Sequence, residues 1–289
     1  MKSIEGDNIK NVRLVGLEFT KNGLSWPVSF ASDGTVEILN LLSAITGAKD
    51  QIVILDEPAL NLHPQFQTSF AQLMNEESRN RANQFLVITH SPHLLDLSHL
   101  GQTFRISLTS EGSKLFYPNI SSLPDKEWEK IKKEFLRNPN IRASLFSKGV
   151  ILFEGNQEEA ALPIWFRKLG LDLDSHDIAF YSVDSDTAFD LNARAIDLWS
   201  MNFVIICDNM AHSTLEEKFG YKVLRMKHND FDEMLKEAYP TEHERAVGII
   251  RSRKNNHSPA VARLVAEETD PPDEVKNLAK AIKRVFGIS

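Results

Sequence analysis

Short apolar runs that end in acidic or polar residues recur along the chain, with segments of helical period between them. Ile52 to Leu55 is one such run and delivers Asp56 and Glu57 to its carboxyl end; Phe85 to Thr89 is another, followed by His90. Such short apolar runs bounded by polar residues predict strands buried on both faces. A helix is expected from about Val36 to Thr46, after a turn at Ala31 to Gly34, and another from Pro64 to about Glu77. Strands of about five residues alternating with helices predict a mostly parallel sheet covered on both sides. Upstream, VRLVGLEF and LSWPVSF around KNG predict a hairpin, and downstream Thr103 to Leu108 and Lys114 to Tyr117 are expected as the antiparallel edge of that sheet.

Residues 121–147 read as a connector. SSLPDKEWEKIKKEFLRNPN opens with a cap-like Ser and Pro, carries Trp128, Ile131 and Phe135 at helical spacing, and stops at Asn138 and Pro139. Its outer side is rich in lysine; a solvated linker helix is the plain reading, and DNA contact is the alternative. A second α/β block follows over 148–289. Val150 to Phe153 ends at Glu154 and Gly155 before a helix to about Lys168, Ile178 to Val183 precedes Asp184 and Asp186, and Phe203 to Cys207 ends at Asp208. Val223 to Met226 is a fourth strand before the acidic NDFDEM. Ligands of an open parallel sheet bind at the carboxyl ends of its strands, so Glu154, Asp184 and Asp208 are expected on one rim. One acid there only marks a strand's exit; several point to a metal site.

Composition changes this picture in a few places. A chain of 289 residues, 42% of them hydrophobic, has room for two cores. The single Cys207 excludes an internal disulfide framework and fits a reducing cytosol. No apolar stretch approaches the roughly 20 residues that span a bilayer, and MKSIEGDNIK has no apolar signal segment. A cytoplasmic protein with no membrane partner is therefore expected. The net charge of −7 argues against coating nucleic acid by charge alone. Bound cations would offset part of that acidity.

The first block carries its own chemistry. Acidic residues at a strand tip can hold Mg²⁺ and polarise a water, so Asp56, Glu57 and His90 read as the rear half of an ATP-hydrolysing site. No G-x-x-x-x-G-K-[ST] phosphate loop occurs in the 289 residues. Ser32 and Gly34 precede a helix amino terminus, where free NH groups and the helix dipole favour an anion. Taken alone, SDGT is more simply a helix cap; its place 24 residues before Asp56 favours the functional reading.

The order of these segments resembles the OLD family (overcoming lysogenization defect) of bacterial and phage-defence nucleases, over roughly residues 24–270. VSFASDGTVEILNLLSAI resembles that family's ABC signature, IVILDEPALNLHP its Walker B and D-loop, and ITHSPHLL its switch-histidine segment; RASLFSKGVILFEGNQEEAALP is similar to the entry into a Toprim domain. The resemblance implies the later part of an ABC/AAA-type ATPase domain over 1–120, without its Walker A loop, and a Toprim-like nuclease domain over 148–289. It implies that Ser32 and Gly34 close on the γ-phosphate of ATP held by another subunit, and so a homodimer or higher oligomer. Asp56 would then orient Mg²⁺ through water, Glu57 activate the attacking water, and His90 sense the γ-phosphate.

Glu154 lies at a strand tip and Glu158 four residues on, about one turn into the following helix, so both can face one site; the resemblance implies that they are the family's paired glutamates. With Asp208, Asp230 and Asp232 they would be the carboxylates, about 4 Å apart, around two Mg²⁺ or Mn²⁺ ions that stabilise the attacking and leaving oxygens of a DNA phosphodiester. Lys254 would steady the scissile phosphate, with Arg251 and Arg253 on the backbone nearby; a solvated loop is the plain reading of that basic run. Two departures stand out. The DxD element reads Asp208, Asn209, Met210, and a thioether suits Mg²⁺ or Mn²⁺ poorly; Asp184 and Asp186 offer a substitute, or simply cap the next helix. Ser258, where the family has its lysine, precedes Pro259. The expected function is a metal-dependent DNA endonuclease coupled to ATP hydrolysis in the complete form, set in phage defence, of which this chain is a fragment. A degenerate regulatory module that binds DNA or protein, and an ATPase subunit of a DNA repair machine, are the alternatives.

Overall fold

Backbone contacts divide the chain into two units, residues 1–96 and 97–289. The computed structural model describes residues 18–58, 60–109, 111–183, 186–209, 214–251 and 258–289. The expectations placed on Asp184, Met210, Arg253 and Lys254 lie outside these residues, as do those on the side chains of Asp186 and Arg251.

In the first unit, β1 (Glu18–Lys21) and β2 (Leu24–Pro27) form the expected hairpin. Its two-residue turn, Asn22 and Gly23, takes positive φ at both positions, as a tight right-twisted hairpin requires. Helix α1 (Asp33–Gly47) leads to β3 (Ile52–Asp56), and α2 (Pro64–Arg81) to β4 (Gln84–Ile88). Pro64 opens α2 where no amide donor is needed, and Ala82 ends it in the left-handed region. β3 and β4 pair in parallel, Ile52 opposite Gln84 and Asp56 opposite Ile88.

The expected cover on both sides of this sheet is corrected. Val53, Leu55, Phe85 and Val87 pack with Ile45, Phe70 and Met74 of the two helices. Strand side chains alternate between faces, and α1 and α2 both serve one face. On the other, Ile52 and Ile54 are 70% and 64% exposed, with Leu86 and Ile88 close to half exposed.

The second unit begins with β5 (Arg105–Thr109) and β6 (Gly112–Phe116), paired antiparallel with Ile106 opposite Leu115. Expected as the edge of the first sheet, they instead form a separate two-stranded sheet. Gly112, at φ 110°, permits a short turn that lets each strand satisfy the other locally. Next come α3 (Asp125–Arg137) and α4 (Pro139–Ser144). The stop predicted at Asn138 and Pro139 is a junction between these helices, with Asn138 Oδ1 accepting from the Asn140 amide at 3.0 Å.

The remaining elements run β7 (Gly149–Phe153), α5 (Asn156–Lys168), β8 (Ile178–Ser182), α6 (Asp186–Asp197), β9 (Asn202–Cys207), α7 (Thr214–Phe219) and β10 (Val223–Arg225). Four helices close the chain: α8 (Phe231–Ala238), α9 (Pro240–Arg251), α10 (Ser258–Glu268) and α11 (Asp273–Phe286). The four strands form one parallel sheet in the order β10-β9-β7-β8. Every residue of β7 is buried. Ile151 and Phe153 face a core built with α5, α8, α10 and α11, and α3, α4 and α6 pack together on the opposite side. Lys168 at the end of α5 donates to the carbonyls of Ala266, Glu267 and Thr269 at 2.6 to 3.1 Å, so one ammonium caps the carboxyl end of α10. Among the described residues, no helix is long and apolar enough to cross a membrane.

The contrast between the two sheets is measurable. Ile151→Ala removes a fully buried side chain and should destabilise the second unit by about 2–5 kcal/mol in urea denaturation. Ile54→Ala, on the open face, should change the first by no more than about 0.5 kcal/mol.

Candidate functional site

Two groups of polar residues collect at carboxyl ends of strands, one in each unit. In the first, Asp56 ends β3 exposed to solvent. Glu57 sits at φ 44°, a left-handed conformation unusual for a side chain of this size. Its amide donates to the Ile88 carbonyl at 2.8 Å, which carries the β3–β4 ladder one step past the strand. Its carboxylate accepts from the His90 amide at 3.3 Å and lies 3.7 Å from His90 Nε2. The ladder thus brings together two residues 33 apart in sequence. Beyond them, Ser91 Oγ donates to Gln67 Oε1 at 2.5 Å and fastens the segment to α2.

Ser32 and Gly34 occupy a second place, the start of α1. Ser32 Oγ lies 2.9 Å from Thr35 Oγ1 and makes no side-chain bond to the helix amides. Gly34 packs on the segment after β3: a Cβ there would come within 2.9 Å of the Asn61 carbonyl oxygen. The Asn61 amide donates to Glu37 Oε2 at 3.1 Å. The signature-like helix start is therefore knitted to the residues that follow Asp56 and Glu57.

In the second unit, register decides which acids meet. Leu152 is level with Ile205, and Cys207 with Arg225. Glu154 and Asp208, which follow β7 and β9, thus leave the sheet on one rim. Glu158 lies in the first turn of α5 and is 9% exposed. Burial pushes its carboxyl up to about 7, with Glu154, Asp208 and Asp230 adding to the rise and a backbone hydrogen bond opposing it. Gly155 makes room for that carboxyl, since a Cβ there would fall 2.8 Å from Glu158 Oε2. Asp230 caps α8, its Oδ1 accepting from the Glu233 amide at 2.7 Å.

Asp232 is held differently. One of its oxygens is 2.8 Å from His243 Nε2 and the other 2.5 Å from Lys236 Nζ. Burial would raise its pKa, but the bonds from Lys236 and His243 outweigh it and the net shift is downward. Its carboxylate ties α8 to α9. Among the described residues, no three His, Cys, Asp or Glu side chains stand at metal-ligating spacing. Glu154, Glu158, Asp208 and Asp230 share an electrostatic field without forming a closed cage.

The supporting residues went unnoticed in the sequence. The Asn209 amide donates to the His228 carbonyl at 2.9 Å, and Arg225 reaches the Asn209 carbonyl at 2.9 Å while its Nε holds Glu216 at 2.8 Å. His228 bridges Glu274 on α11, at 2.8 Å, and Glu237 on α8, at 3.0 Å. Burial lowers the His228 pKa, but the two carboxylates more than reverse that. The segment between β10 and Asp230 is thus anchored on two helices and in turn braces the residue after Asp208. Glu274 is 46 positions from His228, and no local pattern joins them.

Comparison with known proteins adds to this geometry. Residues 3–96 match a family described as "AAA domain, putative AbiEii toxin, Type IV TA system", and residues 145–209 match the "Overcoming lysogenization defect protein-like, TOPRIM domain" family. The chain is 24% identical over 166 residues to the OLD nuclease of Thermus scotoductus, and 24% identical over 197 residues to Endonuclease GajA of Bacillus cereus. These alignments cover 56% and 61% of this chain but only 31% and 28% of those proteins. The C-terminal region of the Xanthomonas campestris pv. campestris OLD protein is similar in structure over 50% of this chain and 95% of that one, with 16% identity and a TM-score of 0.37.

The buried carboxyl of Glu158 has a thermodynamic signature. Its pKa in the folded chain lies above the ordinary glutamate range, so the folded state binds the extra proton. The stability this brings is complete below the ordinary range and is lost as pH rises through about 7. Glu158→Gln should remove that decline and raise stability above neutral pH by up to about 3 kcal/mol, read as the urea midpoint across the pH series.

Proposed function

We propose, for a chain that joins an AAA-type segment to an OLD-like Toprim segment, a metal-dependent DNA endonuclease whose complete form couples cleavage to ATP hydrolysis. The observation that carries this reading is the Glu158 carboxyl at a strand-end rim, whose pKa burial raises to about 7 with a smaller contribution from the neighbouring Glu154, Asp208 and Asp230. The donors are all oxygen, which suits a hard divalent cation such as Mg²⁺ or Mn²⁺. Gly155 leaves room for the Glu158 carboxyl, and the gathering of negative charge is of the kind a cation relieves. Glu154, Glu158, Asp208 and Asp230 are the residues that would hold it. A bound divalent ion would stabilise the attacking and leaving oxygens of a phosphodiester.

The chain's own groups supply placement and proton balance. Glu158 gives up its proton near neutral pH as positive charge enters. Asp230 is held by its cap, and Asp232, bound to His243 and Lys236, steadies the helix that Asp230 begins. Lys254 is assigned to the scissile phosphate on the sequence resemblance. DNA as substrate follows the nuclease and endonuclease among the relatives.

In the first unit, Asp56 would orient Mg²⁺, Glu57 would activate water, and His90 would sense the γ-phosphate; the Glu57–His90 contact supports that pairing. Ser32 and Gly34 would meet ATP held by a second subunit, so the complete form is an oligomer. A phosphate loop must be supplied to this site for turnover. Phage defence inside the cell is the setting this reading implies.

Nicking of supercoiled plasmid in Mg²⁺ or Mn²⁺ tests the assignment. Glu154→Ala should slow it by more than about 100-fold, beyond the usual cost of losing an outer-shell partner. Equal rates in the two chains would sink the nuclease reading, and inactivity of both would favour a regulatory module. Calorimetric Mn²⁺ affinity should rise with pH through about 7, because binding displaces the Glu158 proton.

A further inference from the structure

The lysine-rich face of α3 is absorbed by neither the ATPase-like residues nor the carboxylate rim. Lys126, Lys130, Lys133 and Arg137 follow one another at steps of four, three and four, which at 100° per residue places them within about 60° of arc. All four are exposed, while Ile131 and Phe135 on the opposite side are fully buried. The row is about 16 Å long at 1.5 Å per residue.

What distinguishes it from an ordinary solvated face is where the neighbouring acids go. Glu127 is paired with Arg194 at 3.0 Å, and Glu129 with Lys132. Glu134 is buried, 3.3 Å from Asn192 Nδ2 and 3.4 Å from Arg137. Among the described residues, Lys126, Lys130 and Lys133 take no part in these pairs. A chain of net charge −7 therefore presents three lysines in a straight row outside these pairs, continued by Arg137, whose guanidinium lies beside Glu134.

We infer that this face of α3 is a contact surface for the phosphate backbone of duplex DNA. A duplex carries one negative charge per roughly 1.7 Å of axis, a linear array that a straight basic row complements. Backbone contacts of this kind position a duplex without reading its sequence. The choice of DNA rests on the endonuclease reading; the surface itself rests on the geometry of α3.

Binding of a fluorescent duplex oligonucleotide, followed by anisotropy in EDTA over a range of NaCl concentrations, tests it without any need for cleavage. Replacing three lysines, Lys126→Gln with Lys130→Gln and Lys133→Gln, should reduce the slope of log K against log salt by about 2 to 3 and weaken binding at low salt. An unchanged slope, or no duplex binding by the unaltered chain, would overturn the inference. So would a variant that loses binding to phosphatidylserine vesicles but keeps its DNA slope. Plasmid nicking reports on the endonuclease reading separately, so failure of one is not failure of the other.

Discussion

Because β7 is buried from end to end, polar chemistry in the second unit can begin only where that strand stops. Parallel strands are joined by crossovers that lay helices on their faces, and such a sheet hides its interior residues from water. Glu154 and Asp208 emerge together because β7, β9 and β10 are in register. The same packing that covers Ile151 and Phe153 draws the first turn of α5 inward and takes Glu158 with it. Desolvation then makes that carboxyl hold its proton into the neutral range. Core and chemistry are consequences of one constraint.

The first unit shows the same constraint half met. Its two parallel strands have helices on one face, and the second face leaves Ile52 and Ile54 in water. Asp56 and His90 are correspondingly open to solvent, and what holds Glu57 is a backbone ladder extended by one bond and a contact with His90. An exposed constellation of this kind has little desolvation to strengthen its electrostatics.

Ion pairs and a lysine bound to backbone carbonyls do a third kind of work in the second unit. His228 joins Glu237 and Glu274, Asp232 joins His243 and Lys236, and Lys168 caps α10. Each fixes a helix or loop that carries, or lies beside, a rim carboxylate. On the other side of the sheet, Glu129 of α3 pairs with Lys132 and Glu127 with Arg194 of α6, while Lys126, Lys130 and Lys133 are exposed.

Several of these features are legible in the sequence by itself. Alternation of apolar runs with helical periods gave the order of β7, α5, β8 and β9, the short strand at Val223, and Glu154 at a strand tip with Glu158 in the first turn of the next helix, because strand and helix periods are local properties of the chain. Polar strand exits marked the rim. Tertiary structure alone decided which acids face one another and which face a cation: Asp230 and Asp232, two residues apart, have different partners. It also decided that, among the described residues, β5 and β6 pair with each other and helices cover one face of β3 and β4. Side-chain type and spacing record what a residue can do within a few positions, whereas pairing across 46 residues and the cover over a sheet face depend on how helices pack, which no local period encodes.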